Sequence, residues 1–147
     1  MPDIYTKDWY DEIRDLLNRN PDVVKNAPRG RFHVLAEVRG DGASPYIASG
    51  RELCFGIHLD DGKCTEYYEL NEPPARNDFD FIFEFPAALF EGVAAGTVDP
   101  IDAGLKGTIK ITGDMRILIQ HAELVNILHA VYAKEVETSW PNGKPPY

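Results

Sequence analysis

Four histidines, two cysteines and one isolated carboxylate are the residues of this chain whose types and positions invite chemistry. The histidines are His33, His58, His121 and His129. None sits in an H-E-x-x-H or C-x-x-C spacing, the short patterns that hold a metal ion on one helix or turn. His121 and His129 share a helical face but lie two turns apart, about 12 Å at ~1.5 Å rise per residue, too far for one ion. The histidines are therefore expected at the edge of a core, with no metal and no cofactor. Asp60-Asp61-Gly62 begins like a calcium loop but lacks the ladder of oxygen ligands and the closing Glu. Asp78 and Asp80 alternate along a strand, as carboxylates on a solvated face do. There is no G-x-S-x-G and no phosphate-cradling glycine loop.

The isolated carboxylate is Glu66, and its setting depends on a hairpin. Arg51–Asp60 and Lys63–Leu70 read as two strands around Asp61-Gly62, a dipeptide suited to a two-residue turn with positive φ at both positions. Such a turn opposes Asp60 with Lys63 and Leu59 with Cys64. Carried on without interruption, the register puts Leu53, Phe55, Ile57 and Leu59 on one face with Leu70, Tyr68, Glu66 and Cys64. Cys54, Gly56 and His58 then share the other face with Glu69, Tyr67 and Thr65. The first face is the expected buried one, with Glu66 its single charged member, directly across from Ile57. There it either escapes to water at an edge or meets a polar group of a ligand. The same register separates Glu66 from His58, which argues against a catalytic pair. It also sets Cys54 and Cys64 roughly 17 Å apart at ~3.4 Å per residue, so free thiols are expected.

The elements that position these residues follow from periodicity. Asp8–Asn18 is an amphipathic helix with Trp9, Ile13, Leu16 and Leu17 on one stripe, stopped by Asn20-Pro21. Arg31–Arg39 is the first strand, and Gly40–Gly50 is a loop expected to be mobile. Asn71–Asn77 is long enough to cross the sheet. Asp78–Phe85 is a fourth strand whose Phe79, Phe81, Phe83 and Phe85 share a face. Pro86 opens a helix that ends at Gly96. Asp99-Pro100 caps another, closed by Gly107, and Thr108–Thr112 alternates as a half-buried strand. A final helix is expected from about Asp114 to Val136. Its apolar face spans nearly half the wheel, and Ile119 and Ile127 fall outside even that. A surface helix needs a stripe only a little over 100° wide, so the excess lines a cavity, packs under another segment or meets a partner chain. Ser139–Tyr147 reads as an irregular tail pinned by Trp140.

Composition bounds the rest. A chain of 147 residues is expected to form one domain, residues 1–138, followed by the tail at 139–147. Lys and Arg number 15 against 24 Asp and Glu, a net charge of −9. That argues against a nucleic-acid binder and against constitutive docking on anionic membranes. No apolar run approaches the roughly 18 residues of a membrane span. No signal peptide or peroxisomal tripeptide is recognised, so a cytoplasmic location with reduced thiols is expected.

One ordered set of segments resembles a known family. D-P-I-D-A-G-L-K-G-T-I-K-I-T-G-D-M at Asp99–Met115, L-C-F-G-I-H-L-D-D-G-K-C at Leu53–Cys64 and F-P-A-A-L-F-E-G-V-A-A-G-T-V at Phe85–Val98 are similar, in order, to the sterol carrier protein type 2 domain. The resemblance covers about Arg31 to Leu128. It implies an α+β fold: a five-stranded mixed sheet of order 3-2-1-4-5, covered by helices and enclosing an apolar tunnel. It further implies non-enzymatic binding of a fatty acid, an acyl-CoA, a sterol or another lipid. Phe55, Ile57, Glu66, Tyr68, Phe81, Phe83, Leu105, Leu118, Ala122 and Val125 are the expected ligand-lining residues. The chain departs from the family at Gly104-Leu105, where bulky aromatics are usual, and in its longer final helix. A role as an accessory subunit is the alternative, docking an enzyme of hydrophobic substrates, or a second copy, through that helix.

Overall fold

The computed structural model describes residues 1–72 and 74–147. The chain begins with a helix, α1 (Lys7–Arg19), capped by Thr6, whose hydroxyl accepts from the Trp9 N–H. Trp9, Tyr10, Ile13 and Leu17 form its buried stripe. Asn20 ends α1 and caps α2 (Pro21–Asn26), with proline at the first helical position where its missing N–H costs nothing.

Five strands follow: β1 (Arg31–Arg39), β2 (Glu52–Asp60), β3 (Lys63–Leu70), β4 (Phe81–Pro86) and β5 (Lys110–Thr112). They form one sheet of order β3-β2-β1-β4-β5. β1 and β4 are parallel and every other pair is antiparallel, so the sheet is mixed. The parallel pair requires the chain to cross the sheet through residues 71–80; Pro73 of the predicted Asn71–Asn77 loop lies outside the described residues. Between β4 and β5 come α3 (Ala87–Ala95) and α4 (Pro100–Leu105), and after β5 come α5 (Met115–Gln120) and α6 (Ala122–Ala130), the latter running into a π turn at Val131–Glu135. The order and pairing agree with the α+β architecture expected above.

The hairpin register is the main correction. Asp61 and Gly62 take φ of 48° and 86°, as the two-residue turn requires, and Asp60 pairs with Lys63 and Leu59 with Cys64. The pairing then slips by one at Thr65, so that His58 opposes Glu66, Ile57 opposes Tyr67 and Gly56 opposes Tyr68. This is a β-bulge, two residues on β3 facing one on β2, and beyond it every β3 side chain changes face. Tyr67 therefore enters the core beside Phe55, while Tyr68 and Glu66 join His58 on the opposite side. The expected burial of Glu66 and Tyr68 among Phe55 and Ile57 is overturned. Cys54 faces Leu70 rather than Glu69, and both thiols are free. Burial pushes the thiols of both Cys54 and Cys64 up to about 12.

Three element boundaries also differ. The predicted long final helix breaks at His121 (φ −113°, ψ 28°), whose Nδ1 contacts the Asn26 carbonyl at 2.9 Å at the end of α2. β5 starts at Lys110 because Thr108 still belongs to the end of α4: both its N–H and its hydroxyl donate to the Ala103 carbonyl. β4 starts at Phe81 because Arg76–Asp78 is a short 3₁₀ turn. The Gly40–Gly50 loop, expected to be mobile, is tethered. The Asp41 carboxylate accepts from the backbone N–H of Ala43, Ser44 and Ala88, and Ile47 is buried.

Candidate functional site

The sheet surface that faces the helices is apolar from β2 to β5, with Glu69 of edge strand β3 beside Phe55 the charged exception. Phe32, Val34, Ala36 and Val38 of β1 alternate onto it, as do Phe81, Phe83 and Phe85 of β4, which sit beside Val34, Ala36 and Val38 in register. β2 adds Leu53, Phe55, Ile57 and Leu59, and β5 adds Ile111 opposite Phe83.

One half of this surface is closed by aromatic packing. Phe55 stacks with Tyr67 (centroids 5.5 Å, planes 16° apart) and Tyr10 stacks with Tyr67 (5.4 Å, 22°). Phe90 of α3 meets Phe55, Phe85 and Trp9, while Val131 and Val136 lie in the same buried cluster. The Tyr67 and Tyr132 hydroxyls are 2.7 Å apart, so these deep phenols satisfy one another. Burial, first of all, raises the pKa of both. They are structural neutral groups.

The other half, toward β4 and β5, is filled less well. Phe32, Val34, Phe83 and Ile111 are only half-buried, and among the described residues they belong neither to the main buried cluster nor to the shell packed on it. Phe81 is buried and stacks on Phe32 (6.0 Å, 27°), and Phe83 on Phe85 (6.4 Å, 17°). Gly104 of α4 reaches this half, with the Ile111 side chain in van der Waals range of any Cβ added there. α5 follows directly from β5 and leaves Met115 and Ile119 exposed. Half-buried Leu118 and Val125 lie on α5 and α6, and only Leu124 of these two helices is fully buried.

The expected lining residues thus separate. Phe81 and Phe83 sit on the open half, and Leu118 and Val125 on the helices that follow it. Phe55 is in the packed cluster, with Ile57 against it. Leu105 is 84% exposed and Ala122 is exposed, so neither points into an interior. Gly104, not Leu105, is the α4 residue that faces Ile111. Glu66 and Tyr68 lie on the far side of the sheet. They also line a groove of about 550 Å³ between α1 and β3, whose other walls include Lys7, Asp11, Arg14 and Glu69 and which is too charged for an apolar guest.

A residue that periodicity did not flag is Glu91. It is fully buried in α3, and its carboxylate accepts from the hydroxyls of Tyr5 (2.7 Å), Ser44 (2.8 Å) and Tyr147. Burial first, then the Glu91 charge, drive the Tyr5 phenol well above its usual range. The cluster joins the N-terminal segment, the 40–50 loop, α3 and the tail at one point. The signal was present, since Glu91 is the only charged residue in A-A-L-F-E-G-V-A-A. Trp140 of the tail packs edge-on against Tyr46, and the Ser139 carbonyl accepts from Ile4 N–H, so the tail is held along its length.

No family model matches the chain. No curated protein matches it either. Solved structures do. A crystal structure of sterol carrier protein 2 superposes with a TM-score of 0.76 at 20% identity, over 90% of this chain and 98% of that one. A conserved hypothetical protein from Thermus thermophilus, described as possibly a sterol carrier protein, superposes with a TM-score of 0.77 at 21% identity, over 97% and 96%. A palmitated SCP2L2 from Aedes aegypti gives 0.51 at 15% identity, over 82% and 91%. The chain has the sterol carrier protein 2 fold.

Proposed function

We propose that the protein binds a lipid or other hydrophobic small molecule, without catalysing its conversion, between the β1–β4–β5 half of the sheet and the helices α4 to α6. The observation that carries this reading is the unequal filling of one continuous apolar surface. Phe32, Val34, Phe83 and Ile111 remain half-buried, with Gly104 of α4 beside Ile111, and Leu118 of α5 and Val125 of α6 are half-buried too. An apolar acyl chain or ring system would take that place, with affinity drawn from buried area at about 25 cal/mol per Å² before the costs of association. Phe81, Phe83, Leu118 and Val125 are the proposed lining, with Ile57 at the border of the packed half. The shared fold with structures described as sterol carrier proteins, one of them palmitated, supports the same class of guest.

Thermal melting with added palmitate and palmitoyl-CoA tests the proposal. A guest that binds only the folded chain raises the midpoint in proportion to the logarithm of its concentration. A midpoint indifferent to both, and to cholesterol, would overturn it.

A further inference from the structure

The side of the sheet away from the helices carries a second, separate arrangement. His33 of β1, His58 of β2 and Glu66 of β3 occupy one lateral row, since His33 pairs with His58 and His58 pairs with Glu66. Three adjacent strands thus present His, His and Glu side by side on one face. The row exists only because of the bulge: without the extra Thr65, His58 would face Thr65 and Glu66 would lie on the other side. Bulges of this kind re-aim a side chain at the cost of a ladder hydrogen bond, and they gather at functional positions.

The two imidazoles converge. His33 Nε2 and His58 Nδ1 are 2.6 Å apart, and Glu66 Oε2 is 3.7 Å from the same His58 nitrogen. Each ring's remote nitrogen has an oxygen partner. His33 Nδ1 is 3.1 Å from the Asp78 carbonyl, and His58 Nε2 is 2.9 Å from the Tyr68 hydroxyl. The Asp78 carbonyl can only accept, so His33 carries its proton on Nδ1 and turns a lone pair toward His58. His33 is further fixed through its backbone, its N–H donating to Asp80 Oδ2 and its carbonyl accepting from Asp80 N–H. His33 thus has the outer arrangement of histidines that bind metal through one nitrogen and donate the other N–H to an oxygen, which sets tautomer and ring direction; His58, whose Nδ1–H donates to His33 Nε2 in the unbound pair, reaches it when an ion takes that place.

We propose that His33 Nε2, His58 Nδ1 and the Glu66 carboxylate form a binding site for a divalent metal ion of the zinc class. Two imidazoles and one carboxylate are a donor set suited to such ions, and three protein ligands leave a fourth position open to solvent. Binding requires the facing nitrogens to part from 2.6 Å to about 3.3 Å, the separation of two ligands at ~2.05 Å in a tetrahedral site. The three donor atoms do not all lie within 4.8 Å of one another in this structure, so Glu66, with 62% of its side chain exposed, must swing inward to complete the set. When the ion binds, the proton of the His58 ring sits on Nε2 and is donated to the Tyr68 oxygen. The site lies on the opposite face from the proposed lipid position and does not depend on it.

Titration of zinc chloride into the purified full chain, followed by calorimetry and thermal melting, tests this. The expected result is one ion per chain and a zinc-dependent rise in the melting midpoint. His33→Gln and His58→Gln should each weaken binding by about a hundredfold or more, and Glu66→Gln by about tenfold. Cobalt(II) in place of zinc gives a readout that needs no variant, the intense visible bands of a low-symmetry four-coordinate site. Glu66 is exposed, so its variant folds and isolates the third ligand. Zinc binding that survives His58→Gln, or a wild-type chain that takes up neither ion, would overturn the site. The pair would then share only a proton, His58 Nδ1–H donating to His33 Nε2.

Discussion

The two halves of the helix-facing sheet surface use the same kinds of residue and are filled differently. On the half built around Phe55 and Tyr67, helices α1 and α3 and the π turn place Trp9, Tyr10, Phe90 and Val131 against the strands, and all of these are buried. On the half built around Phe32 and Phe83 the strand side chains stay half-buried, and α4 and α5 put Leu105, Met115 and Ile119 into water, while Leu124 of α6 joins the packed cluster. A protein that needed only stability would close both. Interiors pack to crystal density, and unfilled apolar space costs free energy. The difference puts the stability of the fold in the first half; the second is the half proposed above to take a guest.

The comparison can be broken by truncation. Phe55→Ala should cost about 3–5 kcal/mol, the range for a large aromatic lost from a filled core, whereas Phe83→Ala should cost only about 1–2 kcal/mol. Urea unfolding of the apo protein measures both. Equal costs would mean that the two halves are packed alike. Next in size is Glu91→Ala, expected to cost about 2–4 kcal/mol because three hydroxyls lose a charged acceptor in a buried place. Its loss should loosen the 40–50 loop and the tail together, visible as faster amide exchange at Tyr46 and Trp140, while α5 and α6 are unaffected.

The smallest effect concerns acid. Burial raises the Asp41 carboxyl, but its backbone bonds from Ala88, Ser44 and Ala43 together outweigh this and hold it below its usual value. A depressed carboxyl contributes stability that is complete above its unfolded pKa and is lost as pH falls through the folded one. Asp41→Asn should therefore cost a little stability at neutral pH, and the difference should vanish as the pH falls through the lowered Asp41 value. A difference between wild type and variant that grows on acidification would contradict the assignment.

Much of this was legible in the residues. The Asn20-Pro21 stop, the Asp61-Gly62 turn and the alternation of β1 and β4 each state their structure locally. The bulge does not. Tyr67 and Tyr68 are both aromatic, so alternation cannot say which one faces the core, and Thr65 carries no mark of an extra residue. That single slip moved Glu66 and Tyr68 off the apolar face and beside His58. The break at His121 was equally silent, with no Gly or Pro to announce it, because its cause is a distant partner, the Asn26 carbonyl. Leu105 was misplaced for a related reason: a six-residue helix offers too little periodicity to say which way it turns.

The central claim is tested most directly by what the protein carries. Gentle purification followed by native mass spectrometry, with organic extraction of the same sample, should show a bound species of lipid mass. The same protein with Phe83→Trp, which fills the open half, should emerge empty with its fold intact. A wild-type protein that is empty, and that gains no mass on incubation with palmitate, palmitoyl-CoA or cholesterol, would contradict the account.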